Sequence, residues 1–358
     1  MAVIPQNSPH GVARQTTADL AKGIAVLLMI QVHLMEVFAH PSIYSGPVGR
    51  VSLFLGGPPV APVYMAILGY FVAKSRRSMP TLLVRGASLL AVAFLLNIGL
   101  NAHILWKIHS SNLDLNPLRF IFGSDILFLA GFSVLVLVLI RNFIRKFAYS
   151  AILLALLVVI ATPYVNKVVL TDGGAKYILA FVAGDYSWSY FPIFPWLAYP
   201  LIGFGFASLQ PHIVEAVSSK AIKGVLLGIL IVGLLATHKY AVDISADLDM
   251  YYHHGLLFFL WVLAFLLAWI MILDVLGHRF QVHPVGLYMR WLGRNILIIY
   301  VIQWLLIGNI GTSIYRTQSL IQLRLWFVCI LILTSVATIS YLEIIKRSRH
   351  NSFQTCFI

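Results

Sequence analysis

Ten apolar runs follow one another from residue 18 to residue 345, separated mostly by short polar joints. A bilayer core takes about 20 consecutive apolar residues per helix. No water reaches the backbone there, so each N–H and C=O must be satisfied inside the segment, which leaves helices for runs of this length. The runs are Ala18–Phe38, Val51–Ala73, Thr81–Asn101, Ile121–Ile140, Ala148–Thr162, Phe191–Leu209, Ile222–Ala236, Leu256–Leu276, Trp291–Ile310 and Ile321–Ile345. Composition agrees: 60% of residues are apolar and 10% charged, with mean hydropathy +0.90, where a soluble domain carries roughly 25% charge. The expected fold is an all-α polytopic membrane helix bundle of about ten transmembrane helices. Its parts are a tail of residues 1–17, a membrane domain of residues 18–345 and a basic tail of residues 346–358. Residues 1–17 are polar and no small-residue cleavage site follows the first run, so that run is expected to stay as a helix. Cys329 and Cys356 suggest neither a disulfide nor a thiolate metal site.

Two runs cannot be ordinary helices. Val51–Ala73 contains Gly56-Gly57-Pro58-Pro59 and then Pro62, and adjacent prolines interrupt the helical hydrogen bonding. Phe191–Leu209 contains Pro192, Pro195 and Pro200. Broken backbone survives at membrane depth where protein or a water-filled cavity satisfies it. Helices two and six are therefore expected to be broken beside a cavity. The loops 163–190 and 237–255, rich in Tyr, Asp and His, are expected to cap it, and Ile178–Val182 to lie at the interface.

Charge gives an orientation. With both termini cytoplasmic, 17 of the 25 Lys and Arg fall on the inner side, together with four of the 12 acids. This follows the positive-inside rule. The net charge of +13 is thus a topology signal, or in part a cytoplasmic pocket for a polyphosphate. No Gly-rich phosphate loop is present, and nothing suggests nucleic-acid binding.

Ionisable groups inside a membrane are costly and mark function by default. Asp19 and Lys22 pair at the inner end of the first helix, three residues apart. His33, Glu36 and His40 follow at spacings that put all three on one helix face. Rise places His33 about 22 Å from the inner boundary, with Glu36 and His40 near the outer one. A carboxylate can hold an imidazole in one tautomer and leave its other nitrogen as base or nucleophile. His40, His33 and Glu36 are the expected catalytic group, with Glu36 orienting His40. The alternative is a polar helix end bonded to its neighbours. Asn97, Asn101 and Asp125 could line the same cavity, with Trp188 in the capping loop as a further acceptor contact; Asn97 and Asn101 could equally be helix–helix bonds. Asp247, Asp249, His253 and His254 cluster before helix eight, but adjacent histidines point apart and no metal site is expected. Lys74, Arg76 and Arg77, with Arg290 and Arg294, are candidate anion contacts or plain topology charges.

Three segments together resemble the bacterial relatives of heparan-alpha-glucosaminide N-acetyltransferase, within the transmembrane acyltransferase superfamily. Ala18-Asp19-Leu20-Ala21-Lys22-Gly23, running on to His33 and His40, resembles the family's opening. Phe191-Pro192-Ile193-Phe194-Pro195-Trp196 with Gly203 and Gly205 resembles its FPW helix. Trp291-Leu292-Gly293-Arg294-Asn295 through Tyr300 resembles its late LGR helix. The chain departs from the pattern at Lys22, where arginine is usual, and at Gln303, where histidine is common. The resemblance implies transfer of an acyl group, expected to be acetyl, from cytoplasmic acyl-CoA to a sugar amine or hydroxyl on the outer side of the plasma (inner) membrane. His40 would be the catalytic histidine, and Lys22, Lys74, Arg76, Arg77, Arg290, Arg294 and Asp19 the acetyl-CoA side. The expected partners are membrane lipids, acyl-CoA and a glycan acceptor, with a homodimer as the alternative to a monomer. The competing function is a secondary transporter or flippase using the same intramembrane His/Glu site, against which no repeat of the broken-helix signal is found in the two halves.

Overall fold

The computed structural model describes residues 16–110, 113–147, 149–216, 219–280 and 282–355. Arg14, Ala148 and Cys356 lie outside the described residues, as do the side chains of Glu215, Arg279 and Arg349. The first half of the chain forms α1 (Thr16–Val37), α2 (Pro41–Tyr44), α3 (Pro47–Gly56), α4 (Ala61–Lys74), α5 (Met79–Leu100), α6 (Ala102–His109), α7 (Pro117–Ile121), α8 (Ile126–Lys146) and α9 (Ser150–Val165). The second forms α10 (Ala175–Val182), α11 (Ile193–Trp196), α12 (Ala198–Ala216), α13 (Lys220–Ala236), α14 (His238–Ala246) and α15 (Leu248–Tyr252). It ends with α16 (Leu256–Arg279), α17 (Pro284–Arg294), α18 (Ile296–Ile314) and α19 (Leu320–Thr355).

Eight segments among the described residues are long and apolar enough to cross a membrane, and α13 with α14, bent by 58°, makes a ninth if the pair is one span. The remaining apolar run is α9, which has 16 residues. The protein is an integral, multi-pass, all-α membrane helix bundle. Each expected run contains a helix among the described residues, and three of the boundaries that move bear on the site. The fourth helix starts at Ile126, not Ile121, because Asp125 caps it, its side chain accepting from the Ile126 N–H at 2.6 Å. The ninth run divides at Asn295, so Trp291 and Arg294 belong to a separate amphipathic helix, α17. The first helix ends at Val37, short of His40.

Both broken helices are present. The second span parts between α3 and α4 at Gly57–Val60, and the sixth at Phe194, whose backbone (φ −98°, ψ 115°) is not helical. Between helices in lipid there is little hydrophobic drive, so close approach at small residues does the packing. A Cβ built on Gly69 would lie 1.9 Å from the Pro200 carbonyl oxygen, and one on Gly203 would lie 1.8 Å from that of Ala66. Helices α4 and α12 therefore meet backbone to backbone. Two apolar clusters result. One gathers α4, α8, α9, α12 and α16; the other gathers α1, α5, α18 and α19. The functional cavity lies where they meet.

Candidate active site

The cavity has a volume of about 680 Å³ and is lined by α1, α4, α5, α8, α15 and α18. It opens at the end of the bundle that carries the C-terminus of α1, where its lining residues Leu115 and Tyr315 are exposed. The break after α3 makes part of its wall: Gly56, Gly57, Val60 and Ala61 all face it. A Cβ on Gly56 would come within 2.3 Å of the Val32 side chain, so the break lets α3 close against α1.

Two ionisable residues of α1 line this space, His33 and Glu36, both partly buried. The His33 ring is held by α18. The Gln303 side-chain amide lies 2.9 Å from its Nδ1, and the Trp304 ring lies against its face, centroids 4.1 Å apart. Glu36 sits one turn further on, where the loop after α18 seals the helix end. Arg316 there has φ 54°. The Arg316 N–H donates to the Val37 carbonyl at 3.0 Å and that of Gln318 to the Phe38 carbonyl at 2.8 Å. The Arg316 guanidinium packs on the rings of Tyr44 and Tyr315 and is the cation that acts on Glu36.

Asp125 enters from the start of α8. Its Oδ1 accepts from the Ile126 N–H and from the Tyr300 hydroxyl, while Oδ2 is buried without a hydrogen-bond partner. Asn97 and Asn101 also line the cavity, but their amide N–H groups are engaged by backbone. Asn97 donates to the Ile121 and Gly123 carbonyls, both at 2.9 Å, and Asn101 to the Asn97 and Phe120 carbonyls at 2.9 and 3.1 Å. The pair shapes the turn that delivers Asp125. Capping residues close the wall from the opposite side. Ser245 and Tyr251 line the cavity, and their hydroxyls are buried and unpartnered like Asp125 Oδ2.

The structure does not bring His40 to this group. Because α1 ends at Val37, His40 is exposed and caps α2, its Nδ1 2.8 Å from the Ser42 hydroxyl. The expected single face of His33, Glu36 and His40 therefore holds for the first two residues alone, and Glu36 is not placed to orient His40. Trp188 does not line the cavity either; it is buried against Tyr186, with the Arg119 guanidinium over its ring. Of the histidine cluster, His254 is committed to structure. Its Nε2 is 2.8 Å from the Tyr199 hydroxyl and its Nδ1 2.7 Å from the Tyr251 carbonyl, and burial lowers its pKa from 6.5 to about 4. No group of three or more side chains able to hold a metal ion occurs among the described residues.

At the opposite, basic end, Asp19 is 2% exposed and, among the described residues, pairs with Lys22 and Arg294. Lys22 Nζ lies 3.0 Å from its Oδ1 and Arg294 Nε 3.0 Å from its Oδ2. Lys74 lies over the Tyr70 ring, and Arg290 Nε donates to the Gly286 carbonyl. Arg76 and Arg77 are exposed on the turn after α4. Arg141 and Arg145, whose side chains donate to the carbonyls of Ser75, Arg77 and Ala73, hold that turn in place. Sequence reasoning gave α18 no catalytic role. Its signal was legible: Tyr300, Gln303 and Trp304 lie three and four residues apart, one polar-aromatic face on an otherwise apolar helix.

A histidine and two carboxylates lining an open cavity inside a membrane bundle, with a basic surface at the far end, is an arrangement suited to moving protons and anionic groups. The comparison with known families then decides the class, since residues 16–343 match the family described as acyltransferase domain. The chain belongs to the acyltransferase-domain family. It is therefore a membrane acyltransferase. The match is to this general domain and not to the narrower N-acetyltransferase relatives that the three motifs resemble. No curated protein and no solved structure matches the chain.

Proposed function

We propose that the protein takes an acyl group, acetyl being the simplest, from cytoplasmic acyl-CoA and transfers it to a hydroxyl or amine of a sugar acceptor on the outer side of the plasma membrane. The observation that carries this reading is His33 in the cavity wall beside Glu36 and Asp125. A nucleophile needs a base within hydrogen-bond reach, and His33 presents a ring nitrogen to a space large enough for an acceptor. His33 is accordingly the proposed base, in preference to His40, which is exposed and turned to Ser42. In the proposed step the acceptor oxygen or nitrogen attacks the thioester carbonyl and His33 takes its proton. The C–S bond breaks, and the thiolate leaves with a proton returned from His33. The aromatic walls and the unpartnered oxygens of Asp125, Ser245 and Tyr251 suit a ring that carries several hydroxyl groups, apolar on its faces and polar at its edge.

The positive-inside asymmetry supports placing the basic end in the cytoplasm. Exposed Arg76 and Arg77 are there the proposed contacts for the phosphates of coenzyme A, with Lys74 and Arg290 beside them. Lys22 and Arg294 are already neutralised by Asp19, so their proposed part is to hold α1 and α17 together under that surface. From Lys22 to His33 the rise of α1 is about 16 Å, a distance the acyl-bearing arm must cover between α1 and α4. Tyr64 stands on that path: it lines the cavity and its hydroxyl donates to the Lys22 carbonyl at 3.4 Å.

The test is thiol release from acetyl-CoA by the purified protein in detergent, with and without glucosamine or a mixed glycan pool. Acceptor-stimulated release is expected, lowered about 10²-fold or more in His33→Ala and largely kept in His40→Ala. Release that survives in His33→Ala would overturn the role of His33, and loss in His40→Ala alone would return it to His40.

A further inference from the structure

A neutral imidazole has one nitrogen with a lone pair and one with a proton, and the hydrogen-bond partner of the first nitrogen decides which is which. At His33 the partner of Nδ1 is the side chain of Gln303, 2.9 Å away. Gln303 is 0% exposed, and the remaining polar atom of its amide is buried with no hydrogen-bond partner. The next residue, Trp304, lies on the ring face. Two consecutive residues of α18 therefore fix both the tilt of the His33 ring and the environment of Nδ1.

A carboxamide can offer Nδ1 either its NH₂ or, after a half-turn about its last bond, its oxygen. With the NH₂ toward Nδ1, the ring proton sits on Nε2 and His33 has no lone pair for the cavity. With the oxygen toward Nδ1, that oxygen accepts Nδ1–H and Nε2 is basic. The structure sets the amide with the Gln303 Nε2 at His33 Nδ1 and the Gln303 Oε1 buried without a partner; a half-turn of the amide exchanges the two while every heavy-atom position is kept, and the chemistry required of His33 favours the oxygen at Nδ1. We infer that Gln303 is a positioning residue that holds His33 in its Nδ1–H tautomer through the side-chain oxygen, leaving Nε2 as the base; this rests on the reading of His33 as base. An uncharged partner fits the site. Glu36 and Asp125 already face the same cavity, and a third carboxylate in that space would repel both. The amide sets the tautomer without adding charge.

The experiment is ¹⁵N spectroscopy of histidine-labelled protein in nanodiscs, with the His33 signals assigned by their absence in His33→Gln, alongside steady-state kinetics. The wild type is expected to show a protonated Nδ1 and an unprotonated Nε2. Gln303→Leu is expected to lose that preference and to lose about 10²-fold in kcat, while KM for donor and acceptor stays within about twofold, the pattern of a group felt in the transition state. Gln303→Glu, which keeps an acceptor for Nδ1–H, is expected to keep the tautomer. If Gln303→Leu fails to fold, Gln303→Met, similar in length and without an acceptor, takes its place. A proton on Nε2 in the wild type would overturn the inference, as would an unchanged tautomer and kcat in the Leu or Met variant. If instead acyl transfer proves independent of His33, the base reading fails, and the ¹⁵N spectra still decide what Gln303 does.

Discussion

Gly293 lies so close to the carbonyl oxygen of Asp19 that a Cβ built on it would come within 2.0 Å of that oxygen. The contact is backbone on backbone, and it is repeated nearby, where a Cβ on Gly23 would lie 1.8 Å from the Met289 carbonyl oxygen. Helices α1 and α17 can be this near only with glycine at both places. Gly293→Ala must push them apart, and overpacking of this kind costs about 1–3 kcal/mol or more. Thermal unfolding in detergent should show a clearly lowered midpoint; an unchanged midpoint would mean the helices do not pack as described.

The same approach places Arg294 on Asp19 beside Lys22. Removing the carboxylate with Asp19→Asn leaves two cations facing each other around a site of low polarity. Breaking a buried pair costs about 3–5 kcal/mol; the lower end is expected here, because the Arg294 side chain is 45% exposed. Arg294→Ala should cost less than Asp19→Asn, since Lys22 still neutralises the acid. The two melting midpoints, measured side by side, give the order, and the reverse order would show that Arg294 is the main partner.

The spans were legible because a bilayer admits so few structures: each apolar run holds helix, and Pro58-Pro59 and Pro195 marked two of the breaks, whereas the division at Asn295 carried no such mark. The lateral geometry was not legible. Spacing put His33, Glu36 and His40 on one face, but a face exists only while the helix lasts. The stop at Val37 depends on Arg316 and Gln318, whose N–H groups bind the carbonyls of Val37 and Phe38 from a loop far along the chain. Asn97 and Asn101 line the cavity, yet their amide donors serve the backbone of residues 120–123, a role that spacing alone does not reveal. The partner of His33 was hidden for a related reason. Gln303 lies 270 positions away, and only the packing of α18 against α1 brings the two together.

His254 predicts a pH dependence of stability. Its pKa in the folded protein is held at about 4, below the ordinary 6.5, chiefly because burial disfavours the charged ring. A depressed value means that the unfolded chain binds the proton more readily. Stability from this group is therefore fully present above pH 6.5 and is lost as the pH falls toward 4, by about 3 kcal/mol over that range. His254→Gln should be less stable than the wild type at pH 7.5 and should lose less on acidification. Melting curves of the two proteins between pH 7.5 and 4.5 measure the difference, and parallel curves would remove His254 as the source.

Tyr300 and Asp125 test the acceptor side of the cavity separately from the donor side. The Tyr300 hydroxyl donates to Asp125 Oδ1, leaving Oδ2 buried without a partner on a residue that lines the cavity. If Oδ2 receives a hydroxyl or amine of the acceptor, Tyr300→Phe frees the carboxylate to rotate and spoils its aim without removing it. A hydrogen bond to a charged group contributes about 1.5–3 kcal/mol, so kcat/KM for the acceptor should fall by about tenfold or more. KM for acyl-CoA should not move, because the proposed phosphate contacts lie at the far end of the bundle. Asp125→Asn keeps an acceptor at the same place and should be milder than Asp125→Leu. A rise in the acyl-CoA KM with the acceptor constants unchanged would mean that Asp125 faces the donor, and the two substrates would then have to exchange places in the cavity.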